Sequence, residues 1–369
     1  MADALPPLRY PTTAEEAEFK QALNQRAKRY LETRQDHRFA DGPSLLKAFC
    51  LAIACVTGYL LALQQSSVLT FALAYVVAIG CCMLLNIEVN HDASHNVFLR
   101  SRPANRLVGR MVTLLLGIDP DYWRVRHADF HHVYPNIEHY DLDTEENGFF
   151  RQTPFQCWRP HMRWQHYYWP LMAAMSLPWI AWVFDWKDRL GLTPLHKANP
   201  LPGPTGWLLF ITSKLGHLTL ALILPLYAAS RHGISWPSVV LIYLAAQMAA
   251  SLFVVFLLLG THWAQAAFCE APSDGVMRQG WYAHNFATAC DWYPTPRGLQ
   301  WFMGGLNLHL THHLFPGWHH RHYGVLAGIV AATAEEFGFN YRCLGYRELL
   351  RAQQDFLQAM GRHPEEIPC

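Results

Sequence analysis

The sequence predicts an all-α integral membrane protein, with about four transmembrane helices and additional interfacial helices under a cytoplasmic histidine-rich domain. Three observations predict it. Hydrophobic residues make up 51% of the 369-residue chain and charged residues 15%, well below the roughly 25% charged content of soluble domains. The apolar residues are gathered into runs long enough to cross a bilayer, and the mean hydropathy of +0.02 averages these against polar stretches. Eight of the 21 histidines fall in three short clusters outside those runs.

The first 43 residues are polar and contain no apolar stretch of the kind a cleavable signal needs, so the first membrane segment is expected to direct insertion. Thr13 and Glu16 have the spacing of a capping box, and Phe19, Leu23, Ala27 and Tyr30 follow at helical intervals. An amphipathic helix over about 14–34 is the consequence. Seven Lys or Arg residues precede position 44, which suits a cytoplasmic face and a solvated or interfacial helix. The reading is an N-terminal segment, 1–43, followed by one membrane domain, 44–369.

From Ser44 to Leu85 the chain is apolar apart from Lys47 and a short polar interruption, Gln64 to Ser67. A hydrocarbon core of about 30 Å needs roughly 20 helical residues, so this is a hairpin of two spans, about 44–64 and 68–88. Leu107 to Ile118 is apolar but too short to cross and is read as an interfacial helix. Trp169 to Trp186 has the length of a span but carries Pro170, Pro178 and four tryptophans, which favours the interface. Two clearer spans follow, about 210–229, with Lys214 snorkelling from one end, and about 239–260.

Parity supports this reading: the histidine clusters must share one side to build one site, so an even number of crossings separates the second cluster from the third. Charge agrees with it. Positions 89–205 hold twelve Lys or Arg, whereas the opposite turns hold only Arg231. Four spans with both termini inside are expected. Val325 to Phe337 and Tyr346 to Met360 read as two amphipathic helices separated by Gly338 and Gly345. The nine cysteines form no CxxC pair, so buried free thiols are expected; a net charge of +1 says nothing useful about partners, and no nucleic-acid partner is expected.

The clusters are HDASH with His91 and His95, HADFHH with His127, His131 and His132, and HLTHH with His309, His312 and His313. On a helix, residues at i, i+3 and i+4 share one face and can converge on a metal. Spacing puts His127 and His131 on one such face and turns His132 about 100° away, toward a second ion. Eight histidines exceed what one zinc takes, whereas two metals a few Å apart use that many, and neutral imidazole suits iron. His319, His320 and His322 follow Pro316 and Gly317 in a loop and are read as surface residues.

HDASH, HADFHHVYPN and GGLNLHLTHHLFP, in that order between apolar segments, resemble the three histidine boxes of the membrane fatty acid desaturase family, over about Asn90 to Tyr323. The resemblance implies a non-haem di-iron enzyme, holding two Fe, that uses O2 and two electrons to place a double bond in an acyl chain. It implies His262, in GTHWAQ, as a further ligand. Asn136, Asp141 and Asp143 resemble the family's HH-x-x-P-N and D-x-D pattern, and there they either orient imidazoles or serve the loop. His284 is either near the metals or an ordinary interfacial histidine, and His322 with Tyr323 resembles a structural pair of the family.

Front-end desaturases usually carry Gln where this chain has His309, and often a fused cytochrome b5 whose haem motif is missing here. The sequence therefore speaks against front-end regiochemistry. The resemblance implies a separate electron donor, a ferredoxin, rubredoxin or cytochrome b5-like protein with its reductase. The acyl carrier is acyl-CoA, acyl-carrier protein or a membrane lipid. Arg100, Arg102, Arg106 and Arg110 either hold phosphates or simply mark the cytoplasmic side. Hydroxylation or ketolation on the same metals is the alternative reaction. A metal transporter is disfavoured, because its ionisable residues would lie within the spans.

Overall fold

The computed structural model describes residues 6, 8–198, 201–294 and 296–363, and it is mostly helical with almost no strand. The helices used below are α1 (Ala14–Arg34), α2 (Gly42–Ala62), α3 (Val68–Leu85), α4 (Arg102–Thr113), α5 (Pro120–Arg124), α6 (Gln165–Trp179), α7 (Gly203–His217), α8 (Trp236–Leu258), α9 (Trp281–Thr288), α10 (His309–Leu314), α11 (Tyr323–Glu336) and α12 (Tyr346–Met360). Two three-residue strands, β1 (Asp291–Tyr293) and β2 (Cys343–Gly345), pair in parallel. Four helical stretches are long and apolar enough to cross a membrane: Gly42–Ala62, Val68–Ser94, Gly203–Arg231 and Trp236–His262. The helix carrying Pro170 and Pro178 is not among them, in agreement with the four-span reading.

The chain divides into two compact units. One contains Ala40–Val125 and Leu171–Val255, and so most of the spans. Its hairpin packs closely because Gly58 has no side chain: a Cβ there would stand 3.2 Å from the Ala74 carbonyl. Small residues let apolar helices approach in this way. After α7 the helix widens into a π turn, Leu218–Ile223, which frees carbonyls from the regular ladder. Tyrosines of the hairpin capture them, Tyr59 donating to Leu220 O and Tyr75 to Ala221 O, each at 2.6 Å.

Two expectations are corrected in this unit. The stretch read as one interfacial helix to Ile118 is helical only to Thr113, and the next residues are irregular backbone. Their carbonyls are claimed by side chains of the spans. His217 donates to Leu114 O at 3.1 Å, Gln247 to Leu115 O at 2.9 Å and Lys214 to Gly117 O at 2.6 Å. Irregular backbone beside spanning helices needs such partners. Lys214 therefore does not snorkel: it is buried and ion-paired to Asp185 at 2.6 Å. Arg110 is likewise engaged, with Asp121.

The second unit holds the N-terminal helix, Arg126–Pro170 and the chain from Phe256 onward. The amphipathic helix has the expected bounds, and Thr13 accepts from the Glu16 amide as its cap. Its polar face is exposed, as expected, but its apolar face is packed against the protein. Phe19, Leu23 and Ala27 are buried in one core with α9, α10 and α11. Glu16 does not close the capping box but accepts from the Ala283 amide at 2.9 Å, in the first turn of α9, where a carboxylate is favoured. A Cβ on Gly280 would collide with that carboxylate at 1.6 Å.

The two C-terminal helices lie where the periodicity placed them. The eight cysteines within the described residues are free, and Cys369 lies outside those residues.

Phe19→Ala is expected to lower stability by about 3–5 kcal/mol through the cavity it leaves, whereas Lys20→Ala on the exposed face leaves it unchanged. Melting of the purified protein in detergent checks this, and equal melting of the two variants would return α1 to the surface.

Candidate metal centre

The third cluster lies on α10, a six-residue helix that is wholly buried. Its i, i+3, i+4 spacing sends His309, His312 and His313 into the interior of the second unit. His262 ends the helical stretch Trp236–His262, and its Nε2 lies 2.8 Å from His309 Nε2. Two imidazole nitrogens at that separation need a proton or a cation between them. His131, His262, His309 and His313 each present one ring nitrogen, all four within 4.8 Å of one another.

Box two departs from the spacing argument. The chain forms a π turn over Val125–His131, and the His132 amide bonds the His127 carbonyl at 3.0 Å. In a π turn the hydrogen bond runs between residues five apart, so the rings are aimed differently from those of an α-helix, although His127 and His131 still come together, with Asp143. His127 meets His132, with their Nε2 atoms 3.1 Å apart, and also His312 Nε2 at 3.4 Å. His131 is the histidine that joins the other group. In the first unit, His91 opens a short α-helical turn that follows another π turn, Asn86–Asn90, and the His91 and His95 rings are 5.4 Å apart.

What anchors the rings identifies what they are for. His131 Nδ1 lies 3.1 Å from the Asp141 carboxylate, His262 Nδ1 donates to Thr288 O at 3.0 Å, and His313 Nδ1 faces Asn285 Oδ1 at 3.1 Å. His312 Nδ1 faces the Tyr323 hydroxyl at 2.9 Å. In each case one nitrogen is fixed by the protein and Nε2 is left for the interior, the arrangement of metal-bound histidines. The Nε2 of His313 is buried without a hydrogen-bond partner. A buried polar atom left so is costly unless something else binds it.

The electrostatics agree. Burial, with neighbouring imidazoles, holds His313 well below the usual histidine range, so its ring is neutral as a ligand must be. Burial opposes charge on His131 too, but the Asp141 carboxylate outweighs it and raises the pKa to about 9. A cation at Nε2 would supply the positive charge that this carboxylate favours. The donor set thus fits a metal such as iron or zinc, and imidazole alone does not choose between them.

Asp141 serves ring and loop together, also accepting from the Asn136 amide at 2.9 Å and the Asp143 amide at 3.1 Å. Asn136, at φ 57, donates its side-chain amide to His262 O and Ala267 O. Asp143 comes within 3.6 Å of His131 and is half-exposed. His284 binds Pro135 O at 2.7 Å and so props the backbone of box two. Its neighbour Asn285, not singled out in the sequence, holds His313, and the only local signal was its adjacency to His284.

His319 and His322 are fully buried, which corrects their reading as surface residues. His322 lies between the Tyr30 hydroxyl and His37 O, and Arg321 pairs with Asp36, so the loop packs beneath the end of α1.

Residues 66–345 match the profile of the family described as Fatty acid desaturase. The chain is similar to two proteins named sn-1 linoleoyl-lipid 6-desaturase. That of Arthrospira platensis is 26% identical over 353 residues, covering 94% of each chain. That of Synechocystis sp. is 27% identical over 358 residues, covering 93% of this chain and 96% of its own. The Acyl-lipid (8-3)-desaturase of Physcomitrium patens is 25% identical over 338 residues, or 89% of this chain and 68% of its own.

Asn285→Ala is expected to lower metal affinity by about 10–100-fold, the usual cost of losing the group that orients a ligand. Chelator titration of the metal-loaded protein measures it, and an unchanged midpoint would deny Asn285 that role.

Proposed function

The chain belongs to the fatty acid desaturase family and is an oxidoreductase of fatty acyl chains. On that premise we propose that it places a double bond in an acyl chain carried by a membrane lipid, at a non-haem di-iron centre on the cytoplasmic side of a bacterial inner membrane. The observation that carries this reading is the buried convergence of His131, His262, His309 and His313, with three of the four rings fixed from behind. These four are assigned to one iron. His127, His132 and His312, with His91 and His95 assigned on sequence grounds, are left for the other.

Bound iron supplies the oxidising power drawn from O2 that a methylene C–H bond, with no acid–base handle, demands. The acyl chain gives up two hydrogens, and these, with two protons and two external electrons, reduce one O2 to two waters. The electrons come from a ferredoxin, rubredoxin or cytochrome b5-like protein and its reductase. The protein's own part is placement. Asp141, Thr288 and Asn285 fix the rings, and burial of the cluster keeps water from the reacting carbon. A membrane lipid is preferred to acyl-CoA or acyl-carrier protein because the similar proteins are named for acyl lipids. The same names favour desaturation over hydroxylation.

Lipids from cells expressing the protein should contain a lipid-esterified acyl chain lighter by two hydrogens, and mass spectrometry decides. A product heavier by one oxygen would make the enzyme a hydroxylase. Product appearing first on a soluble thioester would remove the lipid as substrate. Orientation is tested by reporter fusions: fusions at Gln65 and Gly233 should report the outside and one at Thr205 the inside. An outside signal at Thr205 contradicts the placement of the centre.

A further inference from the structure

Tyr341 and Arg342 lie about 28 residues beyond the last candidate ligand, His313, and just before β2. Neither belongs to a histidine box. Each nevertheless reaches back to a different piece of the centre.

Arg342 grips the turn that carries His262. Its Nη1 donates to Ala264 O at 2.7 Å and Gln265 O at 2.6 Å. Its Nη2 donates to Ala287 O and Ala289 O, both at 3.1 Å. The first pair follows His262 in the chain, and Gln265 there takes a left-handed φ of 54. The second pair brackets Thr288, whose carbonyl fixes His262 Nδ1. One guanidinium therefore sets both the backbone that carries the ring and the backbone that orients it. A planar fork of donors suits this task, and an ammonium does not reproduce it.

Tyr341 reaches the helix of box three. Its hydroxyl donates to the buried Asp291 carboxylate at 2.8 Å, and that carboxylate accepts from the Thr311 amide at 3.0 Å and from the Thr311 hydroxyl. Thr311 stands between His309 and His312 on α10, so the angle of that helix is fixed through its backbone. The Asp291 amide closes the circuit by donating to Arg342 O at 3.0 Å.

We propose that the dipeptide Tyr341–Arg342, acting through Asp291, is a positioning element that locks His262 to the His309 helix and thereby sets the geometry of the four-histidine iron site. The proposal rests on the ligand assignment above. It adds residues that touch neither metal nor substrate.

The test uses full-length protein purified in detergent, wild type beside Arg342→Met, Arg342→Lys and Tyr341→Phe. Iron per folded chain, the chelator concentration that removes half of it, the ligand-field spectrum of the cobalt-substituted protein and the melting temperature are recorded for each. In Arg342→Met iron should fall from about two toward one per chain, with the chelator midpoint about tenfold lower or more. Arg342→Lys should recover only part, and Tyr341→Phe should shift the cobalt spectrum in the same direction by less. Should Arg342→Met fail to fold, Tyr341→Phe carries the test, since it removes one hydrogen bond and little volume. A lower melting temperature with wild-type iron content, chelator midpoint and cobalt spectrum would mean a purely structural role and overturn the proposal. Wild-type protein that binds no iron would instead overturn the ligand assignment.

Discussion

Four of the candidate ligands, His131, His262, His312 and His313, keep one ring nitrogen on the protein and turn the other inward. That division of each imidazole is the constraint on which the rest of the second unit depends. It explains why Asp141, Asn285, Tyr323 and the Thr288 carbonyl stand where they do. It also explains the burial of so many polar groups: histidines left without partners in such an interior would destabilise the fold. A metal would satisfy what the protein alone leaves unfinished, most plainly at His313 Nε2.

The second recurring device is the π turn. One precedes box one at Asn86–Asn90, and another carries box two at Val125–His131. By running five residues between hydrogen-bonded groups it re-aims a side chain without breaking the helix. In box two this distributes three neighbouring histidines between two groups. In the spanning helix that begins with α7, the turn at Leu218–Ile223 exposes carbonyls that tie that helix to the hairpin. The same backbone irregularity thus directs side chains in one place and packs spans in another.

Much of this was legible in the sequence because it is local. Apolar runs of span length gave the four candidate membrane helices, and the Thr13 cap with its periodic partners gave α1 to the residue. The spacing of His309, His312 and His313 gave α10. What was not legible depends on distant partners or on non-standard helical pitch. Nothing near Glu16 shows that its carboxylate caps a helix at Ala283, and nothing near Lys214 shows Asp185. His319 and His322 follow a helix-breaking Pro-Gly pair, yet they are buried because α1 packs over them. The contact of His127 with His132 was not legible because the chain uses a wider turn there than 3.6 residues.

The central claim is that these histidines hold iron, with no sulfur and little carboxylate in the coordination. X-ray absorption at the iron edge of the purified protein tests it most directly. The account predicts two irons per chain, a first shell of imidazole nitrogen with no sulfur scatterer, and multiple-scattering features of several histidines per iron. A shell containing sulfur, or a protein that carries a single zinc in place of iron, would contradict it.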